Sequence, residues 1–396
     1  MKDTNFAAPA IRKRIDVVDA LRGFAIMAIM LFHNIEHFDL IYFPQNLPDW
    51  LKAFDLKVWG FMDFFVAGKA YAIFALLFGF TFYLMDNKQK EKGADFRLRF
   101  MWRMFLLLLF GLFNSAFYQG DILTTYALMG VALVLVCRLN DKVVLAIAIV
   151  LLLQPVAWGD FFYILNHPEY AIANHSDYYF GQTASYMTGD SFFELVKGNL
   201  TNGKLAVYWW TWEKGRVFQA PALFMLGMLM GRRHLFSDVD KNVRLWKKVF
   251  GYSVFFVVAF IVLKGLFPRF GFSENEAEPL NLIIYSLSNF AMLMVLVSGF
   301  ILLYRKKRGE RILGKLNPFG RMSLTNYVMQ SILGSVIYYG FGFGLYQYTG
   351  ATFSVLIGLV LFLFQMSFCK WWLKSHKQGP LEFLWHKATW FKLKSR

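Results

Sequence analysis

Long apolar runs alternate with short basic stretches along most of the chain. Ten of these runs have roughly 17–25 residues, which is enough for a helix to cross a bilayer. They lie near 17–40, 59–85, 100–118, 121–139, 142–160, 216–232, 246–267, 280–304, 320–346 and 351–374. The pattern therefore predicts an all-α, polytopic membrane protein with about ten transmembrane helices.

The basic residues are concentrated in every second connection between these runs. The Lys- and Arg-rich stretches are the N-terminal segment, 86–103, 138–142, 232–248, 305–315 and the C-terminal tail. The intervening connections are poor in cations, and 340–350 carries no charge. Because cytoplasmic loops of membrane proteins are enriched in Lys and Arg, the order predicts that both termini are cytoplasmic.

Composition agrees with a membrane protein, since 57% of the 396 residues are hydrophobic and 17% are charged. The net charge of +16 resides largely in the short loops that set topology, so no nucleic-acid partner is expected. Cys137 and Cys369 show neither a disulfide framework nor zinc spacing. Residues 1–396 read as a single transmembrane domain, because no linker or repeat divides them.

The connection 161–215 is predicted to lie outside and is too long for a simple connector. It is rich in aromatic residues, including Trp209, Trp210 and Trp212, and also contains Asn and Asp. Such a composition suits either the binding of a sugar or helices that lie in the membrane interface, and both interpretations stay open.

Five ionisable residues share one face of the first predicted helix: Asp19, Arg22, His33, Glu36 and His37. At about 100° per residue they fall within an arc of roughly 100°. Ionisable groups are costly inside a membrane and normally face a protein interior or a water-filled cavity. The stripe therefore predicts a functional surface within the protein.

A carboxylate within one turn of two imidazoles can orient them and raise their basicity. We therefore predict that His33, Glu36 and His37 are catalytic. The alternatives are buried structural histidines and a metal site, for which this spacing is a weak signal. Asp19 and Arg22 are candidates for binding a donor substrate, or they form a salt bridge that fixes the helix start.

Other polar residues extend the candidate site. Lys69 and Arg321 could contact a phosphate or carboxylate of the donor, although Lys69 could instead balance an acidic side chain such as Asp63. The candidates for binding an acceptor substrate are Gln119, Asp121, Arg216, Asn326 and Gln330. Polar residues in membrane helices also hold helices together, which is the alternative for this group. No metal is expected.

Several motifs resemble the YeiB-like bacterial membrane proteins, which carry domain of unknown function 418. The matching segments are Arg14-Ile-Asp-Val-Val-Asp19-Ala-Leu-Arg22-Gly23, Phe74-Ala-Leu-Leu-Phe78-Gly79, Gly120-Asp121-Ile122-Leu123, Leu226-Gly227-Met228, Gly320-Arg321-Met322-Ser-Leu-Thr325-Asn326 and Gly379-Pro380-Leu381-Glu382. The resemblance covers nearly the whole chain except 161–215. It implies a multi-pass protein of the bacterial inner membrane.

That family is grouped with transmembrane acyltransferases, including the lysosomal heparan glucosaminide acetyltransferase and, more remotely, acyltransferase-3 enzymes. The resemblance implies transfer of an acyl group from cytoplasmic acyl-CoA to an extracytoplasmic sugar. The acyltransferase-3 pattern of Asp-x-x-Arg, with His eleven residues after Arg, fits Asp19, Arg22 and His33. Two positions depart from the YeiB-like pattern: His33, where many members have Asn, and Asn114, where many have His.

Two functions of different class follow. In an acyltransferase, His33 would be the general base for an acceptor held near 161–215. In a proton-coupled transporter for an anion or amphiphile, the same stripe would carry protons, although no inverted repeat is evident. A ligand sensor is a third interpretation. A homodimer stays open, because no interface is readable from the pattern.

Overall fold

The computed structural model describes residues 15–391, and this part of the chain is built of helices without a β-strand. The basic N-terminal residues Arg12, Lys13 and Arg14 and the last residues of the tail lie outside it. The predicted all-α class is confirmed for the described residues.

Twenty α-helices follow one another within residues 15–391. They are α1 (Asp16–Ile35), α2 (Asp49–Phe65), α3 (Ala70–Lys90), α4 (Arg97–Ser115), α5 (Ile122–Met129), α6 (Val131–Val136), α7 (Asp141–Leu152), α8 (Pro155–Asn166), α9 (His175–Gly181), α10 (Thr183–Met187), α11 (Phe192–Gly198), α12 (Lys204–Glu213), α13 (Arg216–Arg232), α14 (Val243–Leu266), α15 (Glu274–Tyr304), α16 (Lys307–Leu313), α17 (Asn317–Arg321), α18 (Ser323–Tyr338), α19 (Ala351–Trp372) and α20 (Pro380–Thr389).

Six helical stretches within residues 15–391 are long and apolar enough to cross a membrane. They are Asp16–Ile35, Asp49–Lys90, Arg97–Ser115, Val243–Phe270, Glu274–Tyr304 and Ala351–Trp372. α7 and α8 meet at a bend of 45° and could together form a seventh span. The structure therefore confirms a helical membrane protein and supplies six or seven such stretches, fewer than the ten expected.

Several predicted runs are interrupted where the backbone cannot continue as a helix. α1 ends at Ile35, because three residues from His37 to Asp39 have positive φ. The run predicted at 59–85 is broken at 66–69, where Gly68 has φ of 73°. The run predicted at 320–346 is divided into the short α17 and α18, and its helix ends at Tyr338. Apolar run length alone does not reveal such breaks.

α1 is a central helix of the molecule, and it packs against α3, α15, α17, α18 and α19. In its most apolar stretch 67% of the residues are buried, whereas the corresponding value for α14 is 6%. The ionisable stripe thus belongs to a helix that is surrounded by protein, as the cost of charge in lipid requires.

Glycines from the sequence motifs lie where helices cross closely. A Cβ on Gly79 in α3 would overlap the carbonyl oxygen of Phe224 in α13, and a Cβ on Gly227 would overlap that of Leu76. Small residues let helix backbones approach in this way. The motif glycines therefore have a packing role in the α3–α13 pair.

The long connection 161–215 is folded rather than irregular. It contains the end of α8 and helices α9 to α12, with a π-helical turn at Asn199–Gly203. α12 packs against both α9 and α13. This layer lies beside the end of α1 that carries His33, and it supplies one wall of the candidate site.

Candidate functional site

The C-terminal end of α1 turns sharply through three consecutive residues with left-handed backbone conformation. His37, Phe38 and Asp39 have φ of 47°, 55° and 72°. This conformation costs a non-glycine residue about 1–2 kcal/mol. It is held in place because Phe38 is fully buried and its carbonyl oxygen accepts a hydrogen bond from the Tyr339 hydroxyl. Strain of this kind clusters at functional sites.

His37 is a buried residue with partners on another helix. Its Nε2 lies 3.0 Å from Ser354 Oγ and 3.2 Å from Thr349 Oγ1. Its ring packs against Tyr338, with 4.8 Å between ring centroids. These contacts favour the interpretation of His37 as a structural histidine that anchors the turn to the start of α19.

His33 lies one turn before, among aromatic rings. Its ring centroid is 4.7 Å from that of Tyr118, 5.7 Å from that of Phe38 and 6.4 Å from that of Tyr327. Within residues 15–391 its Nδ1 is buried without a hydrogen-bond partner. A buried polar atom is normally paired, so this nitrogen is available to a group that the protein itself does not supply.

Glu36 does not orient the two imidazoles as expected. No hydrogen bond joins it to His33 or His37 in the described part of the chain. Burial and the neighbouring Asp39 carboxylate raise the pKa of Glu36, whereas Arg216 lowers it. Glu36 therefore belongs to a second group of charges, made with Asp39 and Arg216, rather than to a histidine dyad.

Asp39 links the strained turn to the loop between α4 and α5. The Tyr118 hydroxyl donates a hydrogen bond to Asp39 Oδ1 at 3.2 Å. Burial raises the pKa of Asp39 to about 6, although Tyr118 and Lys204 oppose the shift. A Cβ on Gly120 would overlap both Asp39 and Tyr118, so the glycine in the Gly120-Asp121 motif makes room for this contact.

Asp121 begins α5 and is fully buried. It accepts hydrogen bonds from the Thr124 backbone N–H at 2.8 Å and from Asn114 Nδ2 at 2.9 Å. Lys204 Nζ lies 3.9 Å from the same carboxylate and donates to the Gln119 carbonyl oxygen at 3.3 Å. These contacts favour a role for Asp121 in joining α5 to α12.

Gln119 and Gln330 each keep a polar atom without a partner. The Gln119 Oε1 accepts a hydrogen bond from the Tyr186 hydroxyl at 2.9 Å, but its Nε2 is unpaired within residues 15–391. In the same part of the chain, both side-chain polar atoms of Gln330 lack a partner. By contrast, Asn326 Nδ2 donates to the Phe319 carbonyl oxygen at 3.0 Å, as a helix-joining residue would.

Asp19, Arg22 and Arg321 lie at the opposite end of α1. Arg22 Nη1 is 3.0 Å from Asp19 Oδ1, and Arg22 Nη2 donates to Thr81 Oγ1 at 3.2 Å. A Cβ on Gly320, beside Arg321, would overlap the Asp19 carbonyl oxygen. Eleven residues separate Arg22 from His33, which is about 16 Å along a helix.

Lys69 does not lie with Asp19, Arg22 and Arg321. It precedes Thr81, the partner of Arg22, by twelve residues along α3, or about 18 Å. Lys69 Nζ donates instead to the Asp63 carbonyl oxygen at 3.0 Å. The structure therefore brings Lys69 together with Asp63, and both line the same cavity as Arg216.

Arg216 lies at the start of α13, between two aromatic faces. Its guanidinium carbon is 3.9 Å from the centroid of Trp210 and 4.2 Å from that of Tyr71. It lines a cavity of about 1210 Å³ between α8, α12, α14 and α15, which Lys69 and Asp63 also line. A cavity of this size exceeds the usual range for small ligands, about 300–1000 Å³.

Four residues of the site at the C-terminal end of α1 were not identified from the sequence: Asp39, Tyr118, Lys204 and Tyr327. Tyr118 adjoins the recognised Gly120-Asp121 motif, and Asp39 follows His37 by two residues, so both positions carried a local signal. Lys204 and Tyr327 approach the site only through tertiary packing. No periodicity in their own segments would identify them.

Comparison with known proteins gives one matching family model and three similar proteins. Residues 230–392 match the family model described as a protein of unknown function, DUF418. The chain is 29% identical to the uncharacterized protein YxaH of Bacillus subtilis, over 96% of this chain and 94% of that protein. It is 24% identical to the uncharacterized protein YeiB of Escherichia coli, over 94% and 95% of the two chains.

A third relative, from Bacillus acidopullulyticus, is an uncharacterized 39.9 kDa protein in the amylase 3' region, and it is 25% identical over 96% of this chain. No solved structure matches the chain. The similarity covers almost the full length of this chain and of each relative. The family model covers the segment from the end of α13 to the C-terminal region. The chain is therefore similar to YeiB-like proteins over nearly its full length, and its residues 230–392 match the DUF418 family model.

Proposed function

We propose that this protein is a membrane acyltransferase that moves an acyl group from cytoplasmic acyl-CoA to an extracytoplasmic sugar or other envelope acceptor. The observation that carries the proposal is the buried Nδ1 of His33, which has no partner in the described residues. An imidazole with an unpaired nitrogen, enclosed by aromatic rings, suits a general base for an acceptor that arrives from outside.

The proposal includes a ten-span topology with both termini in the cytoplasm of a bacterial inner membrane. Besides the six long apolar stretches and the bent α7–α8 pair, three shorter helical units could each span most of a bilayer. These are α5 with α6, α13, and α18 with its preceding turn. Together with the six stretches and the bent pair, these three units give ten spans. This number agrees with the alternation of basic loops.

The chemistry needs a nucleophile, a base and a leaving group. His33 would accept the proton from an acceptor hydroxyl or amine as its oxygen or nitrogen attacks the thioester carbonyl. A bond forms from the acceptor to the acyl carbon, the carbon–sulfur bond breaks, and the thiolate takes a proton as it leaves. Holding the two reactants in line can supply several kcal/mol of the barrier reduction.

The donor would approach from the inner end of α1. Arg22 and Arg321 are the guanidinium groups there, and guanidinium binds phosphate through paired hydrogen bonds. The distance of about 16 Å between Arg22 and His33 along α1 suits a substrate with charged phosphates at one end and a reactive thioester at the other.

Acyl transfer can be measured directly with the purified protein, radiolabelled acetyl-CoA and a mixture of bacterial glycans. We expect labelled glycan with the wild type and a fall of at least about 100-fold for His33→Ala, as for loss of a general base. His376→Ala is the matched control, because that imidazole is exposed on the ring of Trp372. Equal turnover by wild type and His33→Ala would remove His33 from the mechanism.

The transporter interpretation has a different outcome in the same preparation. Proteoliposomes that accumulate an anion or amphiphile in response to a proton gradient, with no labelled covalent product, would replace the acyltransferase proposal. A covalent product without such flux supports acyl transfer.

A further inference from the structure

Arg216 combines three features that are seldom found together. It lines the large outer cavity, its guanidinium is enclosed by the rings of Tyr71 and Trp210, and no carboxylate lies within ion-pairing distance of it among residues 15–391. The guanidinium lies over both rings, and the N–H donors along its edge make no hydrogen bond within residues 15–391. That edge is complementary to a carboxylate or phosphate.

Carboxylates and cations both line the cavity, and the carboxylates of α15 lie apart from Arg216. Gln219 lies one turn after Arg216 and donates from Nε2 to the Ser286 carbonyl oxygen at 3.3 Å. Arg216 is therefore within about one helical turn of Ser286, measured along α15. Glu278 precedes Ser286 by eight residues, about 12 Å nearer the outer end of α15. The acidic residues Glu274 and Glu278 therefore lie toward the mouth, away from Arg216.

Closer to Arg216 the lining contains both signs of charge, and Glu213 there accepts hydrogen bonds from the backbone N–H groups of His175 and Ser176. Lys69 and Arg216 line the cavity there together with Asp63, whose carbonyl oxygen accepts a hydrogen bond from Lys69 Nζ. Glu36 lies near enough for Arg216 to lower its pKa, but burial and Asp39 act in the opposite direction and favour the neutral acid. None of these carboxylates forms an ion pair with Arg216 within residues 15–391.

The rest of the lining suits a polyhydroxylated ligand. Trp209, Trp210 and Trp212 face the cavity with Tyr170 and His175, and flat aromatic rings can stack on sugar rings. Carboxylates near the mouth can accept hydrogen bonds from hydroxyl groups. A volume of about 1210 Å³ leaves room for more than one sugar ring.

We propose that the outer cavity binds a polyol or saccharide that carries a phosphate or carboxylate, with the anionic group on Arg216. This inference deepens the proposed function, because it assigns the chemical class of the acceptor. The same chemistry occurs in a membrane lipid with a polyol phosphate headgroup and in a soluble sugar phosphate, so the test must separate these two sources.

Calorimetric titration of the protein in nanodiscs, without any acyl donor, tests the inference. The probes are N-acetylglucosamine 1-phosphate, glucuronate and uncharged methyl β-glucoside. We expect both anions to bind more tightly than the neutral sugar. Arg216→Gln should weaken binding of the anions by about 10- to 100-fold, the usual range for hydrogen bonds to a charged group, and leave the neutral sugar unaffected.

Arg269→Gln is the matched control, because Arg269 is an exposed cation of the 3-10 turn at Phe267–Phe270, outside the cavity lining. Arg216→Lys keeps the charge but not the planar fork, so we expect an intermediate loss. Equal binding of charged and neutral probes by the wild type would overturn the inference, whether or not either variant folds.

The lipid composition of the nanodiscs identifies the source of the ligand. If phosphatidylglycerol, compared with phosphatidylcholine, weakens binding of the sugar phosphate to the wild type, a lipid headgroup occupies the cavity. Unchanged affinity identifies a soluble ligand. Because no acyl donor is present, loss of anion binding contradicts this inference alone, whereas anion binding without acyl transfer contradicts the proposed function alone.

Discussion

At the residue scale, the C-terminal end of α1 separates side chains that the stripe pattern treated as one group. Both imidazoles keep a buried Nδ1 without a partner in the described chain, but only His37 is tied through its Nε2 to Ser354 and Thr349. Glu36 interacts with Asp39 and Arg216 rather than with either imidazole. The helical period predicted a shared face correctly, but partners on distant helices decide the role of each side chain.

Asp39 makes stability depend on pH in a defined direction. Its pKa is raised by burial to about 6, above the ordinary value of 3.8, so the folded state binds this proton more tightly than the unfolded state. Stability should therefore fall as pH rises from about 4 to 6 and level off above that. The loss of unfolding free energy over this pH range that is due to Asp39 is at most about 3 kcal/mol.

The variant Asp39→Asn should lose this part of the pH dependence. Thermal unfolding in detergent between pH 4 and 7 measures it, and Asp190→Asn, at an exposed position, is the control. A pH profile of Asp39→Asn that overlays the wild type would show that Asp39 titrates normally. Asparagine also tolerates the left-handed backbone at this position, so the turn itself should persist.

At the element scale, the motif glycines set how closely helices approach. Gly79→Ala should push α3 from the Phe224 backbone of α13 and cost about 1–3 kcal/mol or more. Gly251→Ala in α14 is the matched control, because a Cβ there meets no atom within 4 Å. The control should be stabilised by about 0.5–1 kcal/mol, as expected for Gly to Ala in a helix. Chemical denaturation in detergent distinguishes the two, and equal effects would argue against close packing.

The C-terminal motif acts as a cap on another helix. Glu382 in α20 accepts hydrogen bonds from the backbone N–H groups of Leu324 and Thr325, at 2.6 and 3.1 Å, and from Thr325 Oγ1 at 2.6 Å. A carboxylate at a helix N-terminus satisfies unpaired N–H groups and interacts favourably with the helix dipole.

Glu382→Ala should therefore destabilise α18 by about 1–2 kcal/mol, the usual range for loss of a cap. Glu310→Ala, at an exposed position of α16, should change stability by less than about 0.5 kcal/mol. Hydrogen exchange of the Leu324 and Thr325 amides gives a local readout. Protection of these amides that is unchanged in Glu382→Ala would contradict the capping role.

At the scale of the whole molecule, the all-α membrane class follows from the length of the apolar runs, which is a local property of the sequence. The approximate positions of most helices could therefore be predicted. Pro155 at the bend between α7 and α8 and Gly68 at the break before α3 are local signals as well, but run length alone overlooks both. The pocket around Arg216 could not be predicted, because it depends on packing between distant segments.

Single-cysteine labelling tests the proposed orientation. In a background with Cys137→Ser and Cys369→Ser, Tyr348→Cys should react with a membrane-impermeant maleimide on intact cells, since Tyr348 is 67% exposed. Lys306→Cys, in the basic 305–315 stretch, should react only after the membrane is permeabilised. Labelling of both positions from the same side would exclude the ten-span arrangement.

The left-handed turn at His37–Asp39 also has a consequence for how the protein is made. Its stabilising partners on α18 and near the start of α19 lie 301–317 residues later in the chain. During synthesis, α1 can enter the membrane long before those partners leave the ribosome. The turn, and with it the placement of Asp39, can therefore be completed only when the last helices arrive. A prematurely terminated chain would carry the ionisable stripe without a finished site.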